Sequence, residues 1–227
     1  LHHGEGFGRI ADGHGVEMMP PQRRGAGFQF FHALFCHLTK VTYFPVSAKY
    51  MRNFGKECLG LTSRFHTEWG DFHAFRNEAA MEYEVFSMLA HGCKCTIGDQ
   101  MDYWGKLNTD MYKQIGRVYK SVEEKEPWCE NAKPISEIGV FTAEEFYATG
   151  VAGHIPGASE GVARLLMELG YQFDFIDSTL DFDKYRLLIL PDVIPVDEEL
   201  RDKLSTYLKK GGKLLVSYRA CEKISVN

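Results

Sequence analysis

Residues 77–100 read NEAAMEYEVFSMLAHGCKCTIGDQ, and this stretch decides the fold. Asn77 can accept a hydrogen bond from the first free amides of a helix, Glu78 complements the helix's positive end, and Gly92 offers a left-handed residue that ends it. The apolar residues between them fall at helical spacing, so a helix is expected over 77–91. Residues 93–97 then read as a short buried strand that ends in Gly98, Asp99 and Gln100. A helix running into a buried strand with a polar end is one beat of a parallel α/β fold.

Working outward, the same beat continues. Upstream, 45–54 carries apolar residues at helical spacing with Gly55 to close it, 58–65 is strand-like, and 67–75 is a polar, aromatic loop. Downstream, a long helix is expected over 109–124, ending before Pro127, and Pro134 reads as a linker. Beyond it come a strand at 137–142, a helix at 159–169 stopped by Gly170, an alternating strand at 172–176 and a nearly pure apolar strand at 186–191. An amphipathic helix at 197–210, closed by Gly211 and Gly212, leads to a fourth strand at 213–217. Four parallel strands with crossover helices make a flavodoxin-like or Rossmann-like sheet. The chain stops soon after the fourth strand, so that sheet is expected to be truncated.

Residues 1–42 have a different texture, with five of the nine histidines, many glycines and no sustained period. Residues 29–38 are apolar enough for one buried element. Three readings stay open for this segment: a loop-rich barrel piece, a leader with no fold of its own, or coding sequence read out of frame before Tyr43. The domain expectation is therefore 1–42 as an uncertain leader, 43–133 as one α/β unit and 134–227 as a second.

The bulk properties remove several function classes. With 227 residues, 44% of them hydrophobic and 25% charged, the chain has the composition of an ordinary soluble globular protein of one large or two modest domains. A net charge of -5 argues against nucleic acid as a partner, and the only basic cluster, Arg23-Arg24, is short. No apolar run approaches the roughly 20 residues of a membrane helix, so no membrane role is expected. The 6 cysteines are irregularly spaced. Cys93 and Cys95 lack a second pair at zinc spacing, and buried thiols of a reducing cytoplasm are the expectation. His2 with His3, and His32 with His37, miss the i,i+4 spacing that puts two ligands on one helix face, so no metal is expected.

In parallel α/β folds chemistry gathers where strands end. After the strand at 58–65 stand Arg64, His66, Glu68, Trp69 and Asp71. A flat aromatic face, a cation and carboxylates are the mixture a sugar site uses: the ring covers C–H patches, charges fix hydroxyls, and carboxylates do acid–base or nucleophilic work. The plainer alternative is a polar surface loop with Trp69 tucked into the core. At the end of 93–97, Asp99 and Gln100 would point into the same mouth, or Asp99 would simply cap Met101 or Asp102 in a turn. In the second unit neither Gly150–Gly153 nor Gly157–Gly161 forms a phosphate-binding fingerprint, so no cofactor is expected. Cys221 lacks the sharp glycine turn that would expose a nucleophilic thiolate.

These segments carry a resemblance. Residues 62–72 resemble the late-barrel segment of α-L-fucosidases, 91–99 resemble their final barrel strand, and 105–108 with Ile115-Gly116-Arg117 and Pro127-Trp128 resemble the closing helix. Leu188-Ile189-Leu190-Pro191 with 211–219 is similar to the domain that follows the barrel in bacterial α-L-fucosidase-like glycoside hydrolases, a domain like the trimerisation domain of β-galactosidases. The resemblance covers about 44–219. It implies an α/β chain comprising the C-terminal part of a (β/α)8 barrel and a truncated flavodoxin-like (class I amidotransferase-like) domain.

It also implies retaining hydrolysis of a terminal sugar by two carboxylates about 5 Å apart. The nucleophile would be an Asp on a middle barrel strand, outside the recognisable part, so the chain is expected to lack a complete pair and to be inactive alone. Trp69 matches the sugar-contacting aromatic; His66, Asp71, Arg64, Asp99 and Gln100 are the expected substrate-binding groups; Glu68 is the candidate acid/base. Where the fucosidase pattern has Asn-Ile-Gly-Pro this chain has Thr96-Ile97-Gly98-Asp99, which leaves a β-galactosidase-like specificity open. The second unit is expected to assemble a homo-oligomer, a dimer or trimer. A non-catalytic assembly module and a nucleotide-binding α/β protein are the competing readings.

Overall fold

The computed structural model describes residues 29–32, 42–55, 57–67, 69–146 and 157–222, with 29–32 described as backbone. Within them lie two parallel sheets with helices between. Glu68, His2, His3 and His37, and the glycine-rich run at 150–153, fall outside the described residues.

The first sheet has the order β1-β2-β3, formed by β1 (Gln29–His32), β2 (Cys58–Ser63) and β3 (Lys94–Gly98), all parallel. Gln29 pairs with Cys58 and Leu59 with Lys94. β1 thus puts regular structure inside a segment whose sequence shows no period, within the stretch allowed one buried element. Between β1 and β2 runs α1 (Tyr43–Met51), which tightens into a 3-10 turn at Arg52–Phe54 and ends at Gly55. Helix α2 (Glu78–Ala90) carries Met81, Glu84, Val85 and Met88 on its buried face, and Asn77 caps it by accepting from the Ala79 amide at 2.8 Å. Gly92, at φ +77°, ends it as expected. α3 (Thr109–Glu123) lays Met111, Ile115, Val118 and Val122 against Met81 and Val85, each buried side chain contributing about 1.5–3 kcal/mol. A short α4 (Glu126–Cys129) starts around Pro127, and Trp128 on it is exposed.

The second sheet has the order β5-β4-β6-β7, also parallel throughout. Its strands are β4 (Ile138–Phe141), β5 (Phe173–Ile176), β6 (Leu187–Leu190) and β7 (Lys213–Val216), and its helices α5 (Gly157–Glu168) and α6 (Glu198–Lys209). Asp197 caps α6 through the Leu200 amide. The core gathers Phe141, Ile176, Leu188, Leu190, Ile194, Leu200 and Leu204 on one face and Val140, Ala163, Leu166, Phe173 and Phe175 on the other. β5 departs from the alternating pattern expected of it. All four residues are buried, Asp174 included, because a carboxylate with enough partners can be held inside.

One of those partners, Arg52, stands in the turn directly after α1, and α1 itself packs against both sheets. Eight of the nine α1 residues are buried. Phe44 and Ala48 pack on Cys58, Met88 and Cys93 of the first unit. Tyr43, Val46 and Tyr50 pack on Ile138, Val140, Phe173 and Phe175 of the second. The Arg52 guanidinium reaches Asp174 at 2.5 Å, and Ser136 and Tyr185 donate to the same carboxylate at 3.1 and 3.0 Å. Tyr50 donates to Asp177 at 2.8 Å and Asn53 to the Phe175 carbonyl at 2.9 Å. Lys49, buried beside Phe173, donates to its carbonyl at 3.2 Å.

Candidate functional site

The two strand ends singled out in the sequence meet in space. The Arg64 amide donates to the Gly98 carbonyl at 3.0 Å, carrying the β2–β3 ladder one step past Ser63 and Gly98. Phe65 is buried and bridges to Phe75, which closes the loop between them. On that closed loop, Trp69 and Phe72 both stand edge-on to Phe65, with centroids 5.2 and 5.6 Å away. The Trp69 indole lies across Gly98. A Cβ on Gly98 would come within 2.8 Å of the ring, so this close approach requires glycine. The indole itself is half-buried, neither sealed in the core nor loose on the surface.

Beside the indole the polar groups converge. Arg64 is buried, stacks on Phe65 and Phe72 at 4.4 and 5.3 Å, and donates from Nε to Asp99 Oδ1 at 2.6 Å. Asp99 Oδ1 also accepts from the Gln100 amide at 2.7 Å, one residue short of the Met101 or Asp102 amide of the plain alternative. The Gln100 side-chain oxygen sits 3.6 Å from the Cβ position of Gly70, so this residue too joins the Trp69 loop. Tyr112 on α3 reaches Asp99 as well; burial first, and the Asp99 carboxylate second, push its hydroxyl above the ordinary tyrosine range. Arg64 Nη1 is buried with no hydrogen-bond acceptor, and Asp102 Oδ1 is buried with no donor. An unmet guanidinium donor is costly, by about 1–3 kcal/mol or more for a charged group, unless something completes it.

Asp71 accepts from the Thr67 hydroxyl at 2.7 Å, and that bond, aided by His73 nearby, holds its carboxyl below the usual range. Thr67 therefore occupies Asp71 locally. His66 is exposed on the same loop. Arg64, Trp69, Asp99 and Gln100 are brought together, with Asp71 and His66 on the loop's outer part.

A second network that was not singled out in the sequence holds the loop in place. Arg76 donates to the Thr62 hydroxyl at 3.0 Å, to the Ser63 carbonyl at 2.9 Å and to the Glu84 carboxylate. Thr62 also donates to Glu84, and Gln114 of α3 donates to the Arg76 carbonyl at 2.6 Å. Burial pushes the Glu84 carboxyl up to about 7, opposed by Arg76. The signal for this network was present. Glu84 lies three residues after Met81 and four before Met88, so it interrupts an apolar stripe, and a carboxylate there demands a buried cation.

The groove between Asp181–Asp183 and α6 is lined by acids and lysines, with Lys210 paired to Asp183 at 2.5 Å. Among the described residues no group of three or more His, Cys, Asp or Glu side chains is placed to hold a metal ion, and no helix is long and apolar enough to cross a membrane.

Residues 164–225 match the β-galactosidase trimerisation domain. No curated protein sequence matches the chain. Among solved structures, α-L-fucosidase isoenzyme 2 from Paenibacillus thiaminolyticus is similar at 36% identity with a TM-score of 0.73, over 80% of this chain and 28% of that one. A β-galactosidase from Rahnella sp. R3 is similar at 16% identity with a TM-score of 0.67, over 84% of this chain and 33% of its own. A GH42 β-galactosidase from G. stearothermophilus is similar at 17% identity and a TM-score of 0.61, over 76% of this chain and 29% of its own. The last two likenesses concern the fold alone. The chain spans no more than about a third of the length of these structures. It resembles the C-terminal portions of glycoside hydrolase chains, and carries a β-galactosidase trimerisation domain over 164–225.

Proposed function

We propose that this chain is the sugar-gripping and assembly portion of an α-L-fucosidase-like glycoside hydrolase. The observation that carries the reading is the meeting of Trp69, Arg64 and Asp99 across Gly98, at the ends of adjacent parallel strands. In this reading β1, β2 and β3 are the last strands of a (β/α)8 barrel, and Trp69 covers a C–H face of a terminal pyranose. The unmet Nη1 of Arg64 binds a ring hydroxyl by a charge-assisted hydrogen bond, with the Asp99 carboxylate beside it. The retaining reaction needs a carboxylate nucleophile and an acid about 5 Å apart. Glu68 is the candidate acid/base, and the nucleophile belongs to a part of the barrel other than β2 and β3. His66, Asp71 and Gln100 line the rim.

The second sheet, counted from β4 in the order 2-1-3-4, is the start of a flavodoxin-like arrangement and serves as the oligomerising element. The match of residues 164–225 to the β-galactosidase trimerisation domain supports that assembly role.

Two measurements test the reading. Titration of the chain with L-fucose and with D-galactose, followed by tryptophan fluorescence, is expected to perturb Trp69 with one sugar and to lose the response in Trp69→Ala. Hydrolysis of p-nitrophenyl α-L-fucoside is expected from the full-length gene product and not from this chain alone. No release of fucose or galactose by a folded full-length product would overturn the enzymatic reading. Preferential release of β-D-galactose would favour the β-galactosidase-like alternative.

A further inference from the structure

Far from the strand ends that carry the sugar site, the opposite ends of β2 and β3 hold an unassigned pair of thiols. Cys58 opens β2, and Cys93 stands one residue before β3. Because Leu59 pairs with Lys94, Cys58 and Cys93 oppose each other one step earlier on the ladder. Neighbouring strands lie about 4.8 Å apart, and disulfides accept Cα separations of about 4.4–6.8 Å. Both cysteines are reduced, both are buried, at 4% and 3% exposure, and both belong to the small cluster of Phe44, Ala48 and Met88. Buried cysteines usually act as small hydrophobes, but two such residues facing each other from adjacent strands within one buried cluster are also placed for a bond.

Three further features favour that bond. The pair is asymmetric: the Cys93 thiol, with some help from the Arg52 charge, holds the Cys58 thiol below its usual range against the effect of burial, while the same contact and burial push Cys93 up. Cys58 is therefore the attacking sulfur and Cys93 the resolving one. The cover over the pair is thin, since Glu57 and Lys94, the residues flanking the two cysteines, are exposed and form an ion pair at 2.6 Å. Gly92 next to Cys93 is exposed and left-handed, so only a side-chain-free residue covers that flank of Cys93.

We infer that Cys58 and Cys93 form a redox-modification site, closed to a disulfide by a small peroxide, that staples the feet of β2 and β3. The Cys58 thiolate attacks a peroxide oxygen; the O–O bond breaks, hydroxide leaves, and a sulfenic acid forms. The Cys93 sulfur then attacks the Cys58 sulfur, the S–O bond breaks and water leaves. Each sulfur gives up one electron, the peroxide takes both, and the two thiol protons end in two waters.

The test is peptide mapping without reductant after brief treatment of the folded protein with hydrogen peroxide. The expected result is a linked pair of peptides containing Cys58 and Cys93, lighter by two hydrogens, together with a rise in melting temperature that dithiothreitol reverses. Cys58→Ala and Cys93→Ala each abolish the link, and Cys95→Ala leaves it in place. Three results would overturn the proposal: oxidation of Cys95, Cys129 or Cys221 while Cys58 and Cys93 stay reduced, a link to any other cysteine in their place, or a Cys58–Cys93 link that forms only after the chain is unfolded. The wild-type map decides between these outcomes even where an alanine variant folds poorly.

Discussion

Two buried arginine–aspartate pairs hold this molecule together, and they are completed to different degrees. Asp174, at the seam between the units, receives Arg52, Ser136 and Tyr185, with Lys184 3.5 Å away, so its oxygens are fully engaged. Asp99, at the strand end, receives Arg64, Tyr112 and the Gln100 amide, while Arg64 keeps a buried Nη1 without an acceptor. Saturation suits a joint, because a buried ion pair contributes to a fold only when its remaining hydrogen-bonding capacity is met. Incompleteness suits a binding place, where an incoming oxygen supplies the missing partner. The same pair of residue types thus serves structure in one place and is proposed to serve recognition in the other.

The largest expected effect comes from breaking the saturated pair. Arg52→Ala leaves Asp174 charged and buried, and urea unfolding should show a loss of about 3–5 kcal/mol. A loss near zero would erase the distinction between the two pairs. Next is Gly98→Ala, which drives a methyl into the Trp69 ring and should cost about 1–3 kcal/mol, with a shift in tryptophan emission as the indole moves. Arg64→Met sharpens the contrast: it keeps the volume stacked on Phe65 and Phe72. Its expected stability loss, about 1 kcal/mol, is smaller than for Arg52→Ala, whereas sugar binding should fall about tenfold or more.

A last effect, confined to alkaline pH, concerns the seam. Burial, and then the charge of Arg52, lower Lys49 from 10.5 to about 8. In the window from 8 to 10.5 the unfolded chain binds the proton more tightly than the folded one, so this group makes stability rise with pH and withdraws that gain as pH falls through 8. Lys49→Met should flatten this part of the profile, seen as the difference between the two proteins' denaturation midpoints across pH 8–10.5.

Local punctuation was legible from the residues alone. Asn77, Gly92, Gly170 and Asp197 mark helix ends where the structure has them, because capping and left-handed turns depend on a few adjacent residues. The approach of the Trp69 loop to Gly98 was also anticipated, from strand ends that share one mouth. The seam was not. Asp174 looked like the polar half of an alternating strand, and nothing nearby in the sequence announces that Arg52, more than a hundred residues earlier, would neutralise it. Arg76 is silent in the sequence for a similar reason: it reads as loop, and its meaning depends on Glu84 and Thr62 arriving together.

A helix with two buried flanks has little freedom to evolve or to move. Since α1 is wall to both sheets, a substitution anywhere along it must satisfy two neighbours at once. Cleavage near Pro134 would part the chain without parting the molecule. Any exchange of the second unit among related chains would have to bring this helix along, and a tilt of one sheet would be felt by the other through it.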